Sequence, residues 1–322
     1  NRLSGRNPKI WPYNHTVTDA EWAAAFEQYR GALRAHCYRM LGSFADAEDA
    51  VQDTLLRAWR AKDSFEGRAQ LGTWLYRIAT NVCIDRNAAR RVLPIDVVPA
   101  VRPEDEPRST PPLRPELPWL TPYPDPIEAK ERIELAFLVA LQQLPVKQRA
   151  ILLLCDVVGW TAQETAALLE MTVPAVTSAL QRAHAAMPAR PSPPTEHQRE
   201  LLDRYIEAWH RGDAHALTAL LADDVRFAMP PAALWFDSRS AVEQLFVHYP
   251  MTFHGHHRFI PISANNQLAV ATYLCPHGGT EFRFGGIHVL TTRADQISEI
   301  TSFGAALCTG FDLPMIISAP PV

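Results

Sequence analysis

The sequence has no C-x-x-C pair, no apolar run near the ~18 residues a membrane span requires, and no large excess of either charge. Each absence excludes a class of protein. The five cysteines (Cys37, Cys83, Cys155, Cys275 and Cys308) lie more than thirty residues apart. That spacing removes a zinc knuckle and a disulfide framework and leaves structural thiols as the expectation. No residue cluster suggests a metal or a cofactor, and none is expected. A membrane protein is excluded. The first seventeen residues lack Met and any apolar core of the signal-peptide kind, so they are expected to be a trimmed end of a cytoplasmic protein. Hydrophobic residues make up 47 % and charged residues 20 % of the 322, ordinary values for a soluble chain with room for two or three domains.

The net charge of −4 is unevenly spread. Residues 1 to 190 carry 23 Lys and Arg against 22 Asp and Glu, whereas 191 to 322 carry 8 against 13. Only the first part can comfortably face nucleic acid, and it needs local patches or a larger partner to do so. Proline divides the chain further. Eleven of the thirty-five residues from Val92 to Pro126 are Pro, which forbids a long helix and favours an extended tether reaching roughly 100 Å at ~3.1 Å per residue. A shorter break follows at Met187 to Thr195. Four segments are expected: 18–91, the Pro-rich 92–126, 127–187 and 196–322.

The first and third segments have helical periodicity. Phe26, Tyr29, Leu33, His36, Cys37, Met40 and Leu41 predict one helix closed by Gly42. Ala47, Ala50, Val51, Leu55, Ala58 and Trp59 predict a second, and a third runs from Ala69 or Leu71 to about Arg91. After the tether, helices are expected over 126–144, 146–158 and 161–170, the last opened by a Thr161/Glu164 capping box, and from Val173 with Pro174 in its first turn to Met187. Two short helices around a tight turn make a helix-turn-helix pattern. Glu170 occupies the turn position where Gly is usual, so that backbone is either not left-handed or mildly strained. The last segment starts with helices at 197–210 and up to 221. Strand-like runs follow at 225–229, 257–263, 267–274, 280–292 and 296–303, an α+β cone with a curled antiparallel sheet.

Three sets of residues carry candidate chemistry. Thr172, Thr177, Ser178, Gln181 and Arg182 lie at the start and on the outer face of the second helix of the pair, where hydroxyl, amide and guanidinium groups can reach base edges and phosphates. An ordinary helical hairpin with a polar face has the same pattern. Phe65, Arg68, Trp74, Arg77, Asn81 and Arg86 interleave aromatic rings with cations, the combination that grips unpaired bases; a buried Trp beneath a solvated cationic face would look no different. In the cone, Asp224, Trp235, Tyr273 and His288 are candidates for a pocket, against the alternative that they sit at the rim or are satisfied in the core.

The stretches Ala35 to Ser43, Asp46 to Trp59 and Leu71 to Asn81 resemble region 2 of extracytoplasmic-function (ECF) sigma factors. Leu144 to Ala150 and on to Ala183 resembles region 4 of the same family. Trp119, Leu120, Thr121, Pro122, Tyr123, Pro124 and Asp125 resemble the linker signature of its members with a SnoaL-like tail, nearest the mycobacterial type of that branch. The resemblance implies two all-α sigma domains, a region 2 bundle and a region 4 helix-turn-helix, followed by an α+β SnoaL/NTF2-like cone. It further implies that Asp46, Asp49, Gln52, Asp53 and Leu56 dock on polymerase. The loop and helix from Ser64 would hold a melted −10 element, and the helix after Val173 would read −35.

The implied partners are core RNA polymerase, through its β′ clamp helices and β subunit, and promoter DNA, with no membrane. Two promoter elements two helical turns apart are separated by roughly 70 Å, which a Pro-rich tether spans. The implied role is that of an alternative sigma factor regulated in cis by its tail through Trp119, Leu120, Pro122, Tyr123 and Asp125, without catalysis, the cone leaving room for a small ligand. The competing reading is a cyclase- or isomerase-type cone fused to a DNA-binding module. The Asp-Gly-Gly-Gly-Lys signature of another tailed branch is absent, its nearest echo being His277-Gly278-Gly279-Thr280.

Overall fold

In the computed structural model of the chain, residues 17–67, 69–86, 90–102, 113–124, 134–187, 195–248 and 255–318 are described. The chain forms two compact units, one made of 1–90 with 136–189 and the other of 91–135 with 190–322. Both helical modules thus belong to one unit, and the Pro-rich segment belongs to the unit that contains the sheet.

The helical unit opens with α1 (Asp19–Glu27), whose Thr18 and Glu21 form a reciprocal capping box. Helix α2 (Arg30–Leu41) follows after a break at Gln28 and Tyr29, where continuous periodicity had predicted a single helix. No Gly or Pro marks that break, so pattern alone does not show it. Its effect is to turn Trp22 and Phe26 into an aromatic cluster with Phe65 and Trp74. Gly42 ends α2 in the left-handed conformation at φ 69°, and Ser43 caps α3 (Phe44–Ala61) by accepting the Asp46 amide. Helix α4 spans Leu71–Asp85, ending before the predicted Arg91. Helices α2, α3 and α4 bury Leu33, Val51, Leu75 and Ala79 in a shared core.

The second module contributes α5 (Leu135–Gln143), α6 (Val146–Leu152), α7 (Ala162–Leu169) and α8 (Val173–Ala186). The predicted start at Pro126 lies outside the described residues. A π-helical turn extends α6 from Leu153 to Val158 and stops at Gly159, φ 86°. Thr161 and Glu164 form the predicted capping box, and Glu170 is left-handed at φ 54°, so the turn carries the backbone cost that a glycine would avoid.

The second unit places α9 (Glu196–Arg211), α10 (Ala214–Ala219) and α11 (Arg239–His248) against a sheet of β1 (Leu221–Ala228), β2 (Trp235–Phe236), β3 (His256–Ala264), β4 (Gln267–Cys275), β5 (Glu281–Arg293), β6 (Gln296–Gly304) and β7 (Ile316–Ser318). The order is β2-β1-β6-β5-β4-β3, with β7 on β5. The sheet is not wholly antiparallel as expected, because β1 runs parallel to β6. Helix α11 and strands β2 and β7 were not anticipated; the strands have only two and three residues, too few for an alternation to register.

Curvature comes from a bulge. Thr272 pairs with Gly286 but Tyr273 pairs with Phe284, skipping Gly285, and the extra residue bends β5. Gly286 has φ 146°, and a Cβ there would lie 2.0 Å from the Phe303 carbonyl oxygen. A Gly286→Ala variant is expected to lose about 3 kcal/mol or more of the sheet unit's stability, read as an earlier transition in thermal or denaturant unfolding, while the helical unit's transition stays in place.

Candidate functional site

On α8, Val176, Ala179 and Ala183 are buried whereas Thr177, Ser178, Gln181 and Arg182 are exposed. The spacing of those small apolar residues lets the helix lie close to α6 and α7, and the polar set then occupies the opposite side. Thr172 caps α8 by accepting the Ala175 amide, and the Thr177 hydroxyl donates to the Val173 carbonyl oxygen at 3.1 Å. All five predicted residues therefore lie along one helix, four on its outer face and the fifth at its start.

The set around α4 divides. Arg77, Asn81 and Arg86 are exposed, whereas Phe65 and Trp74 pack ring to ring at 5.0 Å and are half-buried. The aromatic rings are thus shared with the core, and the cations provide the open surface. Arg68 lies outside the described residues.

On α3, Asp49, Gln52 and Leu56 are exposed, Leu56 to 54 %. Gln52 and Leu56 border a groove of about 420 Å³ with Phe26, Arg30 and Trp59. Asp46 and Asp53 are partly covered. Asp53 pairs with Arg86 at 2.6 Å, so one residue of the acidic set neutralises one of the cationic set. The Asp53 hydrogen bond, with Asp49 and Asp46 nearby, holds the Arg86 guanidinium above its usual pKa.

A group that sequence reasoning missed joins the two modules. Arg149 of α6 is buried without a carboxylate partner among the described residues. Its Nε donates to the Leu141 carbonyl at 2.8 Å, one terminal nitrogen to Gln142 and Leu144 at 3.3 and 3.2 Å, and the other to Met40. These are carbonyls from the C-terminal ends of α5 and α2, where a cation complements unpaired acceptors and the helix dipole. Burial lowers its pKa to about 10, still charged at neutral pH. The Gln142 amide adds a bond to the Arg39 carbonyl at 3.4 Å.

The Pro-rich segment is strapped to the cone. The Val101 amide donates to the Trp235 carbonyl and the Arg114 amide to the Pro231 carbonyl, both at 2.9 Å. Tyr123 exchanges two bonds with Asn265, its amide reaching Asn265 Oδ1 at 2.9 Å and its carbonyl accepting the Asn265 amide at 3.0 Å. Asn265 and Asn266 have φ near 57° and 55°, the left-handed pair of a tight β3–β4 hairpin that favours Asn. Trp119, Leu120, Pro122 and Tyr123 are buried; Asp125 lies outside the described residues.

The cone encloses a cavity of about 240 Å³. Of the four predicted pocket residues only His288 lines it. Asp224, expected as an interior group, is an exposed partner of Arg293, because it falls on an outward position of β1. Trp235 donates its indole N–H to the Val98 carbonyl at 2.9 Å and so serves the strap. Tyr273 is buried against Phe284 and is absent from the cavity wall. The wall is instead Trp209, Phe227, Phe246, Phe259 and their neighbours, with no Asp or Glu among the described lining residues. Of the i, i+4 aromatic pair on α9, a spacing present in the sequence, Trp209 lines the cavity and Tyr205 does not. His288 Nδ1 meets the Tyr205 hydroxyl at 2.9 Å, and burial, with His257 nearby, lowers the His288 pKa to about 3.

Among the described residues no group of His, Cys, Asp and Glu could hold a metal, no cysteine is in a disulfide, and no helix is long and apolar enough to cross a membrane. Family models match in three places: Sigma-70 region 2 over residues 25–92, Sigma-70 region 4 over 134–187 and a SnoaL-like domain over 202–300. The chain is 38 % identical over 315 residues to the ECF RNA polymerase sigma factor SigG of Mycobacterium tuberculosis, covering 91 % of this chain and 84 % of that protein. It is 29 % identical to SigJ of the same organism over 63 % of this chain and 62 % of that one. The crystal structure of SigJ shares the fold at a TM-score of 0.60 and 20 % identity, covering 88 % of this chain and 96 % of that one.

Two buried neutral histidines make stability depend on acid. His36, hydrogen-bonded to Thr80 at 3.0 Å, and His288 both have pKa values lowered from 6.5 to about 3, chiefly by burial. Their unfolded forms bind a proton that the folded forms refuse. The associated stability is complete above pH 6.5 and is lost as pH falls from 6.5 toward 3. Each is expected to remove about 1.4 kcal/mol per pH unit within that window, seen as a falling Tm between pH 7 and pH 5 whose slope flattens for the second unit in His288→Phe.

Proposed function

The chain belongs to the ECF sigma factors, which direct RNA polymerase to promoters, and we propose that its two helical modules divide the promoter between them. In this reading Thr172, Thr177, Ser178, Gln181 and Arg182 on α8 contact the −35 element, and Arg68, Arg77, Asn81 and Arg86 hold the melted −10 strand beside Phe65 and Trp74. Asp46, Asp49, Gln52, Asp53 and Leu56 on α3 face the β′ clamp helices, and the second module faces the β subunit. The observation that carries the reading is the exposed polar face of α8, held over the small buried residues Val176, Ala179 and Ala183.

Spanning a promoter requires the helical unit to open. A compact body of its size is roughly 35 to 40 Å across, whereas the two elements are separated by roughly 70 Å. Arg149 must therefore leave the α2 carbonyl of Met40. The tether that permits such a span is the same Pro-rich segment bonded to the cone, so we place cis regulation there: a linker held by Trp235, Pro231 and Asn265 is unavailable for separation, and a released one is available. An enzymatic tail finds less support, since an Asp/His proton-transfer pair needs a carboxylate in the cavity.

Transcription by core polymerase with the purified chain on a promoter library tests the whole reading; absence of specific transcripts overturns it. Arg182→Ala is expected to weaken −35 recognition by about ten- to a hundredfold, while Asp49→Arg, at an exposed position, abolishes core binding with unchanged unfolding. Asn265→Gly keeps the left-handed turn but removes the acceptor for Tyr123. It is expected to loosen the strap and raise transcript yield, measured beside hydrogen exchange at the Tyr123 amide.

A further inference from the structure

The cavity wall is largely apolar, and its polar side chains are His257, Thr272, His288 and Ser302. His288 and Ser302 are cross-strand partners on β5 and β6, and both line the cavity. Such partners have Cβ atoms about 4.5 to 5.5 Å apart. The hydrogen bond of His288 among the described residues is made by Nδ1, and none is made by its Nε2 or by the Ser302 hydroxyl. The proton on His288 is placed by its neighbours. Tyr205 is fully buried, and the hydrogen-bond partner of its hydroxyl among the described residues is His288 Nδ1. A hydroxyl that accepted from Nδ1–H would leave its own buried proton without an acceptor, which costs more than leaving an oxygen lone pair unfilled. The Tyr205 hydroxyl then donates its own proton to His288 Nδ1, which leaves the ring proton on Nε2. Two donors, Nε2–H and the Ser302 O–H, thus converge in a chamber walled chiefly by Trp209, Phe227, Phe246 and Phe259, where His257 also lines the wall and the Thr272 hydroxyl is already donated to the Gly286 carbonyl.

We propose that this cavity binds a small, uncharged, largely apolar molecule carrying one carbonyl oxygen, which accepts from His288 and Ser302. A carboxylate is disfavoured because a charge would be desolvated there without a counter-ion. The ligand touches the linker through Leu113, which contributes to the wall and bridges to Ala232. The next residue, Arg114, donates its amide to Pro231 and accepts the Trp119 indole N–H on its carbonyl at 2.7 Å. Occupancy therefore adds apolar contact to the strap beside the bonds that seat Trp119, and it holds the linker on the cone. This coupling rests on the proposed role of the cone as regulator of the linker; the binding itself does not.

The test uses the full chain and two matched probe series: acetophenone, ethylbenzene and benzoate, and 2-acetylnaphthalene, 2-ethylnaphthalene and 2-naphthoate, with affinities from titration calorimetry or equilibrium dialysis. In at least one series the ketone is expected to bind about tenfold tighter than both the hydrocarbon and the carboxylate, the worth of a satisfied buried hydrogen bond. His288→Phe is expected to bring ketone and hydrocarbon within about twofold. Equal binding of ketone and hydrocarbon by the native protein, tighter binding of the carboxylate, or no binding in either series overturns the site. With the ketone bound, hydrogen exchange at the Arg114 and Val101 amides is expected to slow, and unchanged exchange overturns the coupling alone. Neither readout involves polymerase, so a failure here is separable from a failure of promoter-directed transcription.

Discussion

The helical unit depends on one guanidinium. Arg149 collects carbonyls from Met40, Leu141, Gln142 and Leu144, acceptors that two helix ends would otherwise leave unpaired. Among the described residues no carboxylate accompanies it, and its charge is stabilised by oriented dipoles. That arrangement is strong while the two modules are together. It is also easily exchanged, because in the open state water can satisfy both the guanidinium and the carbonyls. Such polar bonds at helix ends suit the opening proposed above for two modules that contact separate promoter elements.

The linker follows a related logic. Proline has no backbone N–H, so the Pro-rich segment has few donors; some bond within it, as Val92 to Pro118 and Leu120 to Val92, and others fix it to the cone, Val101 on Trp235, Arg114 on Pro231 and Tyr123 on Asn265. The cone adds anchors to these internal bonds, and its β3–β4 turn and the rim near Pro231 serve as docking points as well as structural corners. The bulge at Gly285 and Gly286 that curls β5 also opens the chamber in which His288 and Ser302 meet.

Much of the local structure was legible from residue chemistry. The capping box at Thr161, the αL stop at Gly42 and the inward set Val176, Ala179 and Ala183 follow from short-range rules, and so did the exposure of Thr177 and Arg182. The break at Gln28 and Tyr29 was not legible, because no Gly or Pro marks it. The cone pocket was only partly read. Asp224 and Tyr273 lie on strands whose alternation leaves two faces open, and a shift of one residue moves a side chain from chamber to exterior. Strand β1 has such an irregularity around Asp224, where its register against β6 shifts between Leu221 and Arg226.

By itself the sequence determined the helices and their polar faces, the Pro-rich division of the chain and its likeness to the ECF sigma factors, since all of these reside in neighbouring residues and short spacings. Only the tertiary structure decided that Arg149 bridges the two modules, that Asp53 is neutralised by Arg86, that the linker belongs with the cone, and that His288 rather than Asp224 faces the cavity. Each joins residues from distant parts of the chain, and such pairings are set by packing and strand register, which no local pattern encodes.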